Sequence, residues 1–367
     1  MAPPVASCQP PGVDRDTVET YERRWADYER SRPPTHVARA GVLGDRARRR
    51  DDGCLLADLG CGPGGYLAAL GSPVVAVDAA AAMLRRSAEI APDALLVRAD
   101  LEALPFRFGA LGGGWARNAY VHVPTVRLPM ALNELHRVLA VDAPVDASFV
   151  DGDGSEGIHH DDAVGDRYFA TWPADRLADV FVGAGFTVET VEPGRPTFVA
   201  ARRARTLADT VGPDMRLLVC GLNPSVVSAD IGSAFSGPSN RFWKAAVAAG
   251  AVTRARDPRH ALAHHGVGMT DLVKRATPRS SALDRGEYQA GASRVERLVR
   301  WLAPAAVCFV GLEGWRAAVD RHARAGWQRA GIGGRPAYVM PSTSGLNASS
   351  SLDDLVAHLR AALLGPP

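Results

Sequence analysis

The chain has 367 residues, 47% of them apolar, and a formal net charge of +2. That length accommodates two domains with a core each, and no apolar run reaches the roughly 18–20 residues that span a bilayer. Five scattered cysteines (Cys8, Cys54, Cys61, Cys220, Cys308) include no Cys-x-x-Cys pair, which argues against a zinc ribbon or an iron–sulfur cluster and suits a reducing compartment.

The small net charge hides an asymmetry. Residues 214–367 hold 19 Lys and Arg against 11 Asp and Glu, whereas residues 1–213 hold 23 against 29. Both lysines, Lys244 and Lys274, are in the basic part. A basic half points to a polyanionic partner. The opening residues lack a basic stretch followed by an apolar one, so a cytoplasmic protein without a secretory signal is expected.

In chain order, residues 17–50 read as one or two helices. "CLLADLGCGPGG" reads as a buried strand entering a Gly-rich turn, and "PVVAVDAAAAMLRRSAEIA" as strand then helix. A third strand follows in "ALLVRADLEALPF", then helix and strand in "ALNELHRVLAVDAPVDASFV", a polar loop at 151–162, and a closing strand pair in "GFTVETVEPGRPTFVAARRA". Such alternation predicts a parallel α/β sheet. Apolar periodicity lapses near 200–213 and then restarts, predicting strands at 216–221, 305–311 and 336–341 and helices at 239–250, 291–302, 313–323 and 351–363. The expected division is a domain over 1–200, a linker over 201–213 and a second domain over 214–367.

The turn after the first strand carries Asp58, Gly60, Gly62 and Gly64. Glycine there lets the backbone turn sharply and approach a ligand. Asp78 ends the second strand, where a carboxylate accepts from ribose hydroxyls, and Asp100 ends the third. This run resembles the class I S-adenosylmethionine-dependent methyltransferases over about residues 17–198. The resemblance implies S-adenosylmethionine as cofactor, with Gly60, Gly62 and Gly64 at its methionine part, Asp78 at the ribose, Asp100 and Leu101 at the adenine, and Asp58 near the sulfonium. The sequence departs from that family at "GALGGGWARNAYVHVP", which has no acid before the strand, and at Val141-Asp142-Ala143-Pro144 in place of a Pro-Gly-Gly turn. The acceptor is not readable; Asn118 and Tyr120 are candidates to face it, or core and loop residues. The polar run His159, His160, Asp161 and Asp162 reads as solvated, and no metal is expected.

In "LLVCGLNPSVVSADIGSAFSGPSNRFWK" (217–244), Asn223 stands at a strand's carboxyl end, where open α/β sheets bind ligands. Its amide has no useful pKa, but it can hold a water and offer polar edges to a ring. That suffices when the bond to be cut leaves readily, as the N-glycosidic bond to uracil does. Water must then be positioned and the departing base stabilised by donors. Phe235 is a candidate to stack on the base and Ser228 to bind its edge. Alone, an Asn-Pro pair is an ordinary turn and a Phe a core residue.

The surrounding pattern closely resembles the mismatch-specific uracil/thymine-DNA glycosylases, the second family of the uracil-DNA glycosylase superfamily. Gly221-Leu222-Asn223-Pro224-Ser225, Phe235 and Asn240-Arg241-Phe242-Trp243-Lys244 match its first motif, with Ser225 where the family has Gly. Residues 265–281 match its middle segment, and "AYVMPSTSGLNASSS" its second motif. The resemblance, over about 206–363, implies that Asn223 is catalytic and that Ser344, Gly345, Leu346 and Asn347 enter the duplex when the base is flipped. Leu346 would be the wedge and Lys244 would lie near phosphate. Phe242 and Trp243 are expected mainly to pack, Asn240 and Arg241 to fix the loop, and Cys220 and Cys308 to lie in the core.

The expected fold is therefore α/β in two domains, a Rossmann-like methyltransferase sheet followed by a three-layer α/β/α uracil-DNA glycosylase-like domain. The expected activity is monofunctional hydrolysis of uracil, with thymine or damaged pyrimidines as further candidate bases, from mispaired double-stranded DNA. The glycosylase needs no cofactor, no membrane is involved, and a monomer is expected. The alternative is a methyltransferase acting on nucleic acid or a small molecule, with a non-catalytic damage-binding C-terminal module.

Overall fold

A computed structural model of the protein describes residues 14–160 and 164–366. Its contacts sort into two compact units. The first takes the chain up to Thr125, Val138–Ala174 and Thr190–Ala200; the second takes Val126–Arg137, Asp175–Glu189 and Ala201 onward. Among the described residues, no helix is long and apolar enough to cross a membrane.

The first sheet has nine strands: β1 (Leu55–Leu59), β2 (Val74–Asp78), β3 (Leu95–Arg98), β4 (Leu111–Arg117), β5 (Pro144–Asp151), β6 (Glu156–His159), β7 (Arg167–Trp172), β8 (Phe186–Glu192) and β9 (Thr197–Arg203). Their order is β3-β2-β1-β4-β5-β7-β6, with β9 paired to β5 and β8. β1 to β5 run parallel. The chain leaves β1 for β2 on one side and later returns to β4 on the other. This reversal opens a crevice at the carboxyl end of β1. The glycines of β4 have a packing cause: a Cβ on Gly112 or Gly113 would come within 2.8 Å of the Cys54 carbonyl oxygen or the Leu56 Cδ1. Part of the expected polar loop is strand, because β6 pairs antiparallel with β7.

The second sheet orders β10 (Leu217–Gly221), β11 (Val267–Asp271), β12 (Val307–Val310), β13 (Gly326–Trp327) and β14 (Ala337–Met340) as β11-β10-β12-β14-β13. All but β13 are parallel. Side chains alternate across a strand, and here the alternation makes two cores. Leu217, Val219, Cys308 and Met340 join Phe242, Leu355 and Leu359 on one face. Leu218, Cys220, Phe309 and Val339 join Val295, Val299 and Trp315 on the other. Helices on both faces of one sheet give the three-layer arrangement.

Local chemistry moves several boundaries. The helix expected from 291 begins at Arg285, because Asp284 and Glu287 form a capping box. The helix expected from 239 spans Phe242–Ala248, after the Asn240 Oδ1 accepts from the Phe242 N–H at 2.9 Å. Elements that were not anticipated include β7, β11, β13 and the helices Ala174–Gly183, Val226–Ile231 and Pro258–His265. The stretch 201–213 is packed: Thr206, Leu207, Asp209, Thr210 and Val211 are all buried. Thr210 and Met269 exchange two backbone bonds of 2.8 Å, which lays this stretch along β11.

Candidate functional site

In the first unit, a cleft opens at the carboxyl ends of β1 and β2. Gly60 (φ 71°) and Gly62 (φ 53°) line it in the left-handed region, and a Cβ on Gly60 would stand 2.5 Å from that of Ala119. Asp78 holds this turn, its Oδ2 accepting from the Gly62 N–H and its Oδ1 from the Ala80 N–H, each at 2.9 Å. Burial pushes the Asp78 carboxyl up to about 6, against the lowering effect of those backbone donors. Leu101 also lines the cleft; Asp58, Gly64 and Asp100 do not. Asp58 lies beneath it, fully buried, with Oδ2 unpartnered, and burial together with Asp78 pushes it up to about 8. Asp100 caps its own turn, accepting from the Glu102 N–H at 2.9 Å.

Asn118 lines the cleft in the left-handed region (φ 51°). Ser148 fixes it there, its hydroxyl donating to the Asn118 Oδ1 at 2.8 Å and accepting from the Asn118 N–H at 2.9 Å. Tyr120 is fully buried and does not line the cleft. Asp142 takes the left-handed turn position (φ 63°) after the helix Leu128–Val138.

The sequence reading missed a polar chain at the mouth of this cleft. The His122 Nδ1 lies 2.6 Å from the Tyr168 carbonyl oxygen, which only accepts, so Nδ1 carries the hydrogen. In the neutral ring Nε2 then accepts from the Tyr21 hydroxyl at 2.8 Å, and Arg167 donates to that hydroxyl at 2.6 Å. Tyr21 and His122 are 101 residues apart, beyond the reach of any local pattern.

In the second unit, a cavity at the carboxyl ends of β10 and β11 is lined by Asn223, Ser228, Phe235, Asp271, Ser344 and Gly345, among others. The Asn223 Nδ2 donates to the Thr277 Oγ1 (2.8 Å) and to the carbonyls of Arg275 (3.0 Å) and Pro224 (3.2 Å). Carbonyls only accept, so this surrounding fixes which amide atom is nitrogen and leaves Oδ1 as the acceptor.

Ser228 is buried, and its oxygen accepts from the Ser225 hydroxyl (3.1 Å) and the Ser236 N–H (3.2 Å), leaving its own proton to donate. Ser225 also caps the helix Val226–Ile231, accepting from the Ser228 N–H at 3.1 Å. Phe235 is held in the left-handed region (φ 55°), which costs of order 1 kcal/mol for a non-glycine residue. Its ring stacks on Phe242 (4.1 Å between centroids, 24°), and the neighbouring Ala234 carbonyl accepts from the Trp243 indole N–H at 2.8 Å.

Leu346, Asn347 and Lys244 do not line the cavity. Leu346 stands 93% exposed on the adjoining loop, and Lys244 is exposed. The loop is tied from beneath: Arg241 donates to the carbonyls of Ser350 (2.6 Å) and Asn347 (2.7 Å), and the Asn347 amide to that of Ser342 (2.7 Å). A Cβ on Gly345 would collide with Ser239.

Asp271 is a further residue that the sequence reading did not single out. It ends β11 opposite Gly221, lines the cavity, and is pushed up to about 6 by burial; Lys274 and Arg294 lower it and Asp209 raises it. An acid at the end of a short apolar run was the available signal. Among the described residues, no three His, Cys, Asp or Glu gather as a metal would require. Asp161 and Asp162 of the polar run lie outside those residues, as does Cys8.

Comparison with known proteins gives two family matches. Residues 208–363 match the uracil DNA glycosylase superfamily, and residues 56–142 match a methyltransferase domain. Among solved structures, the 1,6-didemethyltoxoflavin-N1-methyltransferase of Burkholderia thailandensis is 17% identical. The alignment covers 55% of this chain and 94% of that one, with a TM-score of 0.41. The magnesium protoporphyrin IX methyltransferase of Synechocystis is 14% identical over 53% of this chain and 100% of its own, at 0.40. A protein of Pyrococcus horikoshii is 19% identical over 48% and 98%, also at 0.40. The chain thus joins a methyltransferase domain to a domain of the uracil DNA glycosylase superfamily.

Proposed function

We propose that the second unit is a monofunctional DNA glycosylase that flips uracil, or a related pyrimidine, out of a mispair in double-stranded DNA and hydrolyses its N-glycosidic bond. The observation that carries this is the meeting of Asn223, Asp271, Phe235 and Ser228 in one cavity beside an exposed Leu346. The base stacks on Phe235, and the Ser228 hydroxyl donates to a carbonyl at its edge. The Asn223 Oδ1 accepts from the attacking water, and Asp271, when ionised, takes that water's proton. The C1′–N bond breaks as the C1′–O bond forms, and the base departs with the bonding pair, stabilised by donors in a site preorganised for it. Leu346 fills the vacated stack. No lysine lines the cavity, which fits hydrolysis without a lyase step. Asn223 alone was expected to suffice; with Asp271 beside it, the site has both an orienting amide and a general base.

The first unit, on this reading, binds S-adenosylmethionine. Gly60 and Gly62 line the cleft with left-handed backbone that glycine adopts freely, and Asp78 and Leu101 line it where a ribose and an adenine would lie. When bound, the cofactor supplies an electrophilic methyl group. The hydrogen-bonded Tyr21 and His122 line the same cleft and offer polar groups to orient the acceptor.

Single-turnover excision from a G·U duplex tests the glycosylase reading. Wild type should release uracil, and Asn223→Ala should bind the duplex but release roughly 10²-fold more slowly or worse. An intact duplex at large enzyme excess would discard the activity and leave a module that reads DNA without cutting it. Calorimetric titration with S-adenosylmethionine tests the first unit; absence of heat would end that half.

A further inference from the structure

We propose that the buried cluster of Asp209, Lys274 and Arg294 is the positioning device of the excision site, acting through the strand end that carries Asp271 and the loop that holds Asn223. The inference rests on the glycosylase reading above.

The cluster clamps one short segment repeatedly. The Asp209 Oδ1 accepts from the Thr270 hydroxyl (2.7 Å) and the Lys274 Nζ (2.8 Å), and its Oδ2 accepts from Arg294 (2.8 Å). The other terminal nitrogen of Arg294 donates to the Asp271 carbonyl (2.7 Å) and to the Thr270 hydroxyl (3.0 Å). Thr270, Asp271 and Lys274 are thereby tied to one carboxylate. Beyond Lys274, the Arg275 carbonyl and Thr277 hydroxyl orient the Asn223 amide. The N–H groups of Leu272, Val273 and Thr277 donate to the carbonyls of Gly221, Leu222 and Pro224 at 2.8, 2.9 and 3.1 Å. A displacement at Asp209 therefore reaches both reacting groups through few bonds.

The charges act on the same atoms. With Asp271 ionised, the cluster holds two anions and two cations. Two further titratable groups face it: Cys220 on β10, kept a neutral thiol by burial, and His136, which burial and the charges of Arg203 and Lys274 push down to about 3. Asp209 and Arg294 are almost wholly buried, and Lys274 nearly so. Burying such a cluster costs desolvation that well-packed apolar residues would avoid. Stability alone is thus a weak reason for it. Lys274 favours the ionised form of Asp271, and Asp209 opposes it.

The test is single-turnover excision of uracil from a G·U duplex between about pH 5 and 8.5, with the Asp271 carboxyl carbon followed by NMR across the same range. Lys274→Met should move the acidic limb, and the Asp271 titration, to higher pH by about half a unit or more, and Asp209→Asn to lower pH. Plateau rates should fall in both variants, with duplex affinity unchanged. Lys274→Arg keeps the cation and should keep the wild-type limb; this comparison stands even if Asp209→Asn fails to fold. Limbs that stay put, or that all move one way as loss of stability alone would produce, overturn the proposal. If wild type excises nothing while the NMR shifts hold their opposite signs, the glycosylase reading fails and the electrostatic device survives.

Discussion

The carboxylate Oδ1 of Asp271 fills the space in which a Cβ on Gly221 would stand, with the edge of the Phe235 ring 3.4 Å from the same point. The backbone of Gly221 is not in the left-handed region, so the demand for glycine is one of room. Gly221→Ala should push the carboxylate out of place. Excision from a G·U duplex should fall by roughly 10²-fold, with duplex affinity retained. A variant that keeps full activity would separate Asp271 from the reaction.

Asp271 also sets a pH dependence. The carboxyl titrates near 6, and only its ionised form takes a proton. The single-turnover rate should therefore be flat above about pH 7 and fall close to tenfold per unit below pH 6. Asp271→Asn should lose a factor of roughly 10² to 10⁴ and flatten the limb. A wild-type rate that does not change between pH 5 and 8 would remove the assigned base.

Leu346, 93% exposed, buries almost nothing. Leu346→Ala should leave folding stability within about 0.5 kcal/mol of wild type by denaturant titration. It should slow excision from double-stranded DNA while sparing single-stranded substrate, which has no stack to refill. Equal losses on both substrates would rule out a wedge.

Asp58 bears on stability. Its carboxyl is raised from 3.8 to about 8 by burial, so the folded state holds a proton that the unfolded chain releases. The sign follows from linkage. Stability contributed by the neutral form is complete below pH 4 and declines by about 1.4 kcal/mol per unit until about pH 8. Asp58→Asn should remove that part of the slope and raise Tm most above neutral pH. Parallel stability profiles for the two proteins would show that Asp58 is ionised in the fold.

Asn223, Ser228 and Phe235 were singled out in the sequence, by strand-end position and by the family resemblance, and they line one cavity. Asn223 and Phe235 lie at set distances from a strand end and a helix start, and Leu346 follows the last parallel strand. The capping box at Asp284 and Glu287 was equally local and was passed over. Asp271 ends a short apolar run and was passed over, since Gly268 interrupts the apolar pattern and the meaning of the acid depends on Gly221 opposite it on β10. The burial of Asp209 depends on Arg294, 85 residues away, so a charged stretch read as a linker although its charges are satisfied at long range. The Tyr21–His122 bond was hidden for the same reason.

The two units are interleaved along the chain: Val126–Arg137 and Asp175–Glu189 belong with residues beyond 200. A ribosome adding about 5–20 residues per second delivers those two early segments roughly ten to forty-five seconds before the last of their partners. Synthesis in pieces, with the second unit expressed from residue 214, would omit them altogether and leave Asp209 behind as well.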